Sequence, residues 1–344
     1  MEQLLKLQQK IVPELLELLE KRYNILRTIY YNQPIGRRVL ANNLGIGERI
    51  VRTEINFLKS QNFIEINTQG MTITREGEII NDKLKDFIHE MKGLSDIESQ
   101  IKEKLKLRDI IVVPGSLDED HTVMNELGRT AASYLRGIIK DNSIISLTGG
   151  STIKEVVDNM PGISGLENIF VVPARGGMGK NIQTQANTLV SNLASKLSAN
   201  YRLLHVPDNL SDKALGTIVE EKDIREILDI IHSSNILIYG IGRADQMARK
   251  RGLSEDKVKK IYKAGGVGEA FGYYFNRLGE VVYSTPTIGI KNDDINKIDF
   301  LVAVAGGKEK AEAIISTEIN NSNSVLVTDE GAACEILNII NSQK

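Results

Sequence analysis

The sequence predicts an α/β protein: an N-terminal winged helix-turn-helix followed by a doubly wound, largely parallel-sheet effector domain. Three observations carry this. From Asp109 onward, short apolar runs alternate with helical stretches, the pattern of strands covered on both faces by helices. Before it, Pro34–Thr74 reads as helix, glycine-bearing turn, second helix and alternating hairpin. Twice, an apolar strand runs straight into a Gly-Gly pair and then a helix, the local form of an anion cradle.

The bulk properties are consistent with two cored domains. The chain has 344 residues, 41% hydrophobic and 26% charged, with a formal net charge of −2, so a nucleic-acid surface has to be local. A single cysteine, Cys334, excludes an internal disulfide framework and fits a reducing compartment. The four histidines lack metal-ligand spacing, and no metal or cofactor is expected. No apolar run is long enough to span a bilayer, and the first residues are too charged for a signal peptide. A cytoplasmic protein is the expectation.

Met1–Tyr31 reads as helical, with Leu4, Leu7, Ile11, Leu15, Leu18 and Leu19 at three- and four-residue spacing and Pro13 kinking or dividing it. Its stripe is either a core face or an oligomer contact. Gly36–Leu44 is a short helix with Val39, Leu40 and Leu44 inward. Gly45-Ile46-Gly47 is a tight turn. Glu48–Ser60 is a second helix with Val51, Ile55 and Leu58 on one face. Its opposite side carries Arg49, Arg52, Thr53 and Asn56, residue types that read guanine and adenine edges in a major groove. Phe63–Ile66 and Met71–Thr74, joined through Gly70, form a wing. Ile35–Glu76 holds six basic residues, including Arg37 and Arg38, against four acidic ones. Arg37, Arg38, Arg49, Arg52, Thr53 and Asn56 are therefore the candidate DNA contacts. A small module for protein contacts is the alternative. Thr74–Lys92 is a further helix striped by Ile79, Ile80, Leu84, Phe87, Ile88 and Met91. The expected boundary follows Gly93, giving domains 1–93 and 94–344, with Ser95 or Asp96 capping a helix Ile97–Leu105.

In the second domain the expected strands are Ile110–Val113, Ile144–Leu147, Ile169–Val172, Leu203–Val206, Ile236–Tyr239, Val281–Tyr283, Phe300–Val304 and Val325–Val327. Ligands of such sheets bind at the carboxyl ends of strands. Four loops lie there. Thr148-Gly149-Gly150-Ser151-Thr152 is a phosphate cradle, or Ser151 is only a helix cap. Pro173–Gly179 frees the backbone with glycines and supplies Arg175, with Gln185 starting the next helix. Ala305-Gly306-Gly307-Lys308 repeats the cradle, with Lys310 beyond it. Asp329-Glu330-Gly331 joins the site or only caps the last helix. Arg249-Lys250-Arg251 is a basic patch, and Glu269 either accepts from sugar hydroxyls or pairs with that patch. Two cradles suggest a ligand with two anionic ends. There is no G-x-G-x-x-G with a following acid, so a dinucleotide is not expected.

LTGGST at Leu147–Thr152, PARGGMG at Pro173–Gly179, GEAFGYYFN at Gly268–Asn276, AVAGG at Ala303–Gly307 with KAEAI at Lys310–Ile314, and VTDEGAA at Val327–Ala333 together resemble the SorC family of sugar-responsive transcription regulators. The likeness points to the branch that regulates glycolysis in Gram-positive bacteria. It implies an effector domain of the glucosamine-6-phosphate deaminase and ribose-5-phosphate isomerase type. It also implies a repressor of a glycolytic operon, with fructose-1,6-bisphosphate as inducer and a tetramer on operator DNA. Carried over by position, the effector contacts are Gly149, Gly150, Ser151, Thr152, Arg175, Gln185, Lys250, Glu269, Gly307 and Lys310. Ser151 stands where the family commonly has the first of two threonines. The Arg-Lys-Arg patch leaves Lys250 and Arg251 as alternatives for one contact. The competing reading is a sugar-phosphate isomerase or deaminase with an added N-terminal domain. It lacks a carboxylate–partner pair beside the cradles, the candidates being Glu269, Asp329 and Glu330. A scaffold without DNA contact is the third reading.

Overall fold

The computed structural model describes residues 11–177, 181–207, 211–286, 288–319 and 321–342. The chain falls into two units, Met1–Asp96 with Pro114–Val123, and Ile97–Val113 with Met124–Lys344. The short segment Pro114–Val123 therefore groups with the N-terminal unit although it lies, in sequence, inside the other.

The first unit begins with α1 (Pro13–Asn32), α2 (Arg37–Leu44) and α3 (Glu48–Ser60). Pro13 opens α1 at a position where its missing N–H costs nothing; the expected helix over residues 1–10 lies outside the described residues. Gly45 ends α2 in the left-handed region at φ 63°, which a glycine adopts without strain. The wing is β1 (Ile64–Asn67) paired antiparallel with β2 (Gly70–Ile73). It is tied back by Ile35, whose N–H donates to Met71 O and whose O accepts from Met71 N. α4 (Arg75–Met91) follows, capped by the Thr74 hydroxyl accepting from Gly77 N at 3.0 Å. Ile25, Leu26, Ile29, Leu40, Val51, Ile55, Leu58, Ile64 and Met71 close into one core. Each of the large side chains contributes about 1.5–3 kcal/mol by leaving water.

After α5 (Leu94–Leu105), the second unit is built on β3 (Asp109–Val113), β4 (Ile144–Leu147), β5 (Phe170–Pro173), β6 (Asn200–Tyr201), β7 (Ile236–Arg243), β11 (Phe300–Val304) and β12 (Ser324–Asp329). These seven run parallel in the order β6-β5-β4-β7-β11-β12-β3. The helices between them include α6 (Thr122–Ile138), α7 (Ser151–Asn159), α8 (Ala186–Leu197), α9 (Asp212–Ile218) and α10 (Lys222–His232). Beyond Gly240, β7 leaves the parallel sheet and pairs antiparallel with β8 (Gly266–Ala270). α11 (Ala244–Lys250) and α12 (Glu255–Lys263) bridge β7 and β8. A meander through β9 (Tyr273–Asn276) and β10 (Val281–Ser284) then follows. α13 (Ala311–Glu318) and α14 (Glu330–Ser342) complete the unit.

Four expectations are corrected. Leu203–Val206 is not a strand: Asn187 on α8 accepts from Leu204 N and donates to Leu204 O, so a side chain satisfies the backbone groups that a neighbouring strand would take. The pairing with β5 is made earlier, by Asn200 and Tyr201. Val39 faces outward at 53% exposed, because the inward side of α2 is formed by Leu40 and Ala41. Ile79 is likewise outward at 49%, two residues from both Gly77 and Asn81 on the buried line that runs on to Ile88. α5 starts at Leu94, which places Ser95 and Asp96 inside the helix instead of capping it.

Candidate DNA-reading surface and ligand site

α3 presents Arg49, Arg52, Thr53 and Asn56 to solvent along one side, as the spacing predicts. Arg37, Arg49 and Arg52 form no ion pair with any described residue. Arg38 donates to Glu48 at 3.1 Å, with both side chains exposed; such a pair is worth little and yields readily to a phosphate. The Thr53 hydroxyl donates to Arg49 O within the helix. The wing carries no Lys or Arg; its turn is folded by Asn67 Oδ1, which accepts from Gln69 N and Gly70 N.

The buried side of α3 holds a residue that pattern reading passed over. Glu54 sits among Val51, Ile55 and Leu58 and accepts from Arg22 Nε at 2.9 Å, with Lys21 Nζ at 3.3 Å. The Arg22 guanidinium also lies 3.6 Å from the Phe57 ring centroid. Burial pushes the Glu54 carboxyl up, but the Arg22 and Lys21 hydrogen bonds and charges outweigh it and hold the group below its ordinary value. A carboxylate three residues from a core valine, opposite a Lys-Arg pair on α1, was the available signal.

In the second unit the carboxyl ends of β4 and β11 both open into glycine elbows. Gly150 is the N-cap of α7 at φ 133°, with no side-chain cap bond. Ser151 is therefore the first helical residue and does not cap. Gly149 passes so close to Thr184 that a Cβ would lie 2.7 Å from its carbonyl oxygen, and Gly150 N donates to that same oxygen. The elbow thereby meets Gln185, the N-cap of α8. A Cβ at Gly150 would meet nothing within 4 Å, so the space before the first turn of α7 is open. At the second elbow, Gly307 N donates to Asp329 Oδ1 at 3.0 Å, and Ala332 N donates to the same oxygen. Asp329 thus ties the elbow to β12 as well as capping the last helix. Lys310 ends the short 3₁₀ turn that Gly307 opens.

A third group gathers where β7 passes to β8. Glu269 is 2% exposed and accepts from Arg251 at 2.7 Å and from Gly272 N at 2.7 Å. Arg175, at the end of β5, is buried against Gly272, where a Cβ would fall 2.6 Å from Nη1. Burial, followed by the Glu269 charge, pushes the Tyr274 phenol well above its ordinary value, while Arg251 and Arg175 pull the other way. All four groups share one locality. The Tyr274 hydroxyl has no hydrogen-bond partner among the described residues. Of the patch Arg249-Lys250-Arg251, Arg251 is the member turned to Glu269, and Lys250 is exposed. Met178 and Gly179 of the glycine loop lie outside the described residues. Among the described residues no cluster of His, Cys, Asp or Glu could hold a metal ion, and no helix is long and apolar enough to cross a membrane.

A sugar-binding domain model matches residues 89–338, and the CggR N-terminal DNA binding domain matches residues 18–88. The chain is 44% identical to the central glycolytic genes regulator of Bacillus subtilis over 98% of its length and 99% of the relative's. It is 42% identical to the same regulator of Priestia megaterium over 99% of this chain and 100% of that one. A crystal structure of a SorC family transcriptional regulator from Enterococcus faecalis superposes with TM-score 0.66 at 35% identity. It covers 70% of this chain and 99% of that chain. The chain belongs to the SorC family of transcriptional regulators. The full-length sorbitol operon regulator SorC of Klebsiella pneumoniae shares the fold, with TM-score 0.66 at 19% identity over 93% of this chain and 98% of that one. This SorC-family chain is a DNA-binding regulator with a sugar-binding domain, and its relatives are regulators, not enzymes.

Proposed function

We propose that this chain represses central glycolytic genes and that a sugar carrying two phosphates, fructose-1,6-bisphosphate foremost, releases it from operator DNA. The carrying observation is the pair of glycine elbows on β4 and β11, neighbours on either side of β7. Two strand spacings separate them by about 10 Å, the scale of a hexose with an anion at each end. Gly149, Gly150, Ser151 and Thr152 take one phosphate on backbone N–H groups, hydroxyls and the α7 dipole. Gly307 and Lys310 take the other. Arg175, Arg251 and Glu269, with Gln185, address the sugar between them; Lys250 is a long-range charge. Arg37, Arg38, Arg49, Arg52, Thr53 and Asn56 contact DNA. The assembly on DNA is a tetramer, and the reading head is 1–93 with 94–344 as sensor, in a cytoplasmic protein. The names of the Bacillus subtilis and Priestia megaterium relatives support the choice of glycolytic genes.

The test is a titration of fructose-1,6-bisphosphate into protein bound to a duplex that the chain itself selects from randomised DNA. Release together with a change of assembly state is expected. Unchanged affinity and unchanged assembly would overturn the proposal.

A further inference from the structure

Segment Pro114–Val123 is the inserted piece of the first unit, and both of its ends lead to the second glycine elbow. On its N-terminal side, Val113 pairs in register with Asp329, whose carboxylate accepts from Gly307 N at 3.0 Å. On its C-terminal side, α6 carries Leu127, which lies against Gly306: a Cβ there would fall 2.8 Å from Leu127 Cδ1. The elbow is therefore linked to both flanks of the segment.

The middle of the segment is clasped by Arg27 of α1. Arg27 is 2% exposed; its Nη2 donates to Asp120 Oδ2 at 2.6 Å and its Nη1 to Pro114 O at 3.1 Å. Asp120 in turn accepts from Thr122 N and Oγ1, at the start of α6. One and a half turns earlier on α1, Lys21 and Arg22 hold Glu54 on the inner face of α3. One rigid helix thus grips the elbow-linked segment at one point and the DNA-reading helix at another.

We infer that Arg27 and Asp120 are positioning residues for regulation: through α1 they convert occupancy of the Gly306-Gly307 elbow into a changed setting of α3. The inference rests on the functional reading above. Coupling of this kind runs through packed elements and hydrogen bonds with two arrangements, and a direct measurement of coupling is its proof.

The experiment uses the full-length chain, fructose-1,6-bisphosphate, and a duplex selected from randomised DNA by the wild-type protein. Ligand binding is read by thermal shift without DNA. Duplex affinity is read by anisotropy with and without saturating sugar, and the ratio of the two affinities is the coupling factor. Asp120→Asn is expected to keep the ligand-induced thermal shift and the sugar-free duplex affinity. Its coupling factor should fall about fivefold or more towards one. Asp120→Glu, which keeps the charge, should restore the factor. A wild-type factor in Asp120→Asn overturns the relay alone. A factor of one in the wild type overturns the functional reading, and the relay falls with it.

Should Asp120→Asn fold poorly, amide hydrogen exchange on the wild-type chain decides. Sugar should change protection within Pro114–Val123 and in α1. Unchanged protection there, with changes confined to the elbow, overturns the relay.

Discussion

Arg52 and Glu318 show how differently two charged residues work in one chain. Arg52 projects from α3 into solvent. If it reads a base edge, Arg52→Ala costs about 1–3 kcal/mol on a selected duplex and much less on random DNA; anisotropy titrations on both duplexes check this. Glu318 is completely buried, accepts from Tyr239 at 2.7 Å and is bonded by Ser324. Burial raises its carboxyl above the ordinary value, against the pull of those hydrogen bonds. A raised carboxylate holds its proton longer in the folded state, so stability falls as pH climbs above about 4.5, the ordinary value. Glu318→Gln should therefore flatten the pH dependence of the melting temperature above about pH 4.5, as thermal melts of parent and variant on the alkaline side of that value will show. Gly150, at φ 133°, is a third residue-scale case. Gly150→Ala carries about 1–3 kcal/mol of backbone strain and puts a methyl where a ligand would enter. A folded variant whose thermal shift with fructose-1,6-bisphosphate is lost is the expected result.

At the scale of elements, most of what built the reading head was legible in the sequence. Apolar residues three and four apart marked the helices, and Gly45 and Gly70 marked the turns. The parallel strands were legible because strands buried on both faces read as unbroken apolar runs. The β8–β9 pair was not: Gly266, Gly268, Gly272 and Phe271 broke the pattern, and the antiparallel ladder itself shifts register between Gly266 and Gly268. β7 was read four residues too short for the same reason, since Gly240 and Gly242 interrupt its apolar run. At the candidate site, the elbows could be read from the glycines, but the choice of Arg251 over Lys250 as partner of Glu269 needed three dimensions. The Glu54 clamp on α3 carries an element-scale prediction. The Glu54 carboxyl is held below its ordinary value by its two cations. Its stabilisation is thus whole above about pH 4.5 and vanishes as pH drops through the folded value. Glu54→Gln should lose about 1.5–3 kcal/mol at pH 7, with parent and variant converging in acid. Gly77 makes a second case, since a Cβ there would sit 2.1 Å from Phe63 O. Gly77→Ala should loosen the wing from α4 and lower the melting temperature.

For the whole molecule, the proposed regulation ties sugar binding and DNA binding to one coupling free energy. If sugar weakens DNA binding by some factor, DNA must weaken sugar binding by the same factor. Isothermal titration of fructose-1,6-bisphosphate into free and DNA-bound protein should return the factor obtained by anisotropy, and unequal factors would disprove a single two-state linkage. The segment Pro114–Val123 could not be foreseen from sequence, because a ten-residue excursion into another unit leaves no periodic mark. Its mark in the structure is the burial of Arg27, a residue type that seldom leaves water, against Asp120 and Pro114.

The lone strand between the elbows has a consequence for signal fidelity. Hydrogen-bonded ladders on both sides of β7 fix the gap as firmly as a machinist's gauge. Under the proposed reading, orthophosphate would fill one jaw or the other without bridging them, and a three-carbon diphosphate would fall short. If the proposed bisphosphate reading holds, length is the password, and a counterfeit of the right charge but the wrong reach would leave the genes as they were.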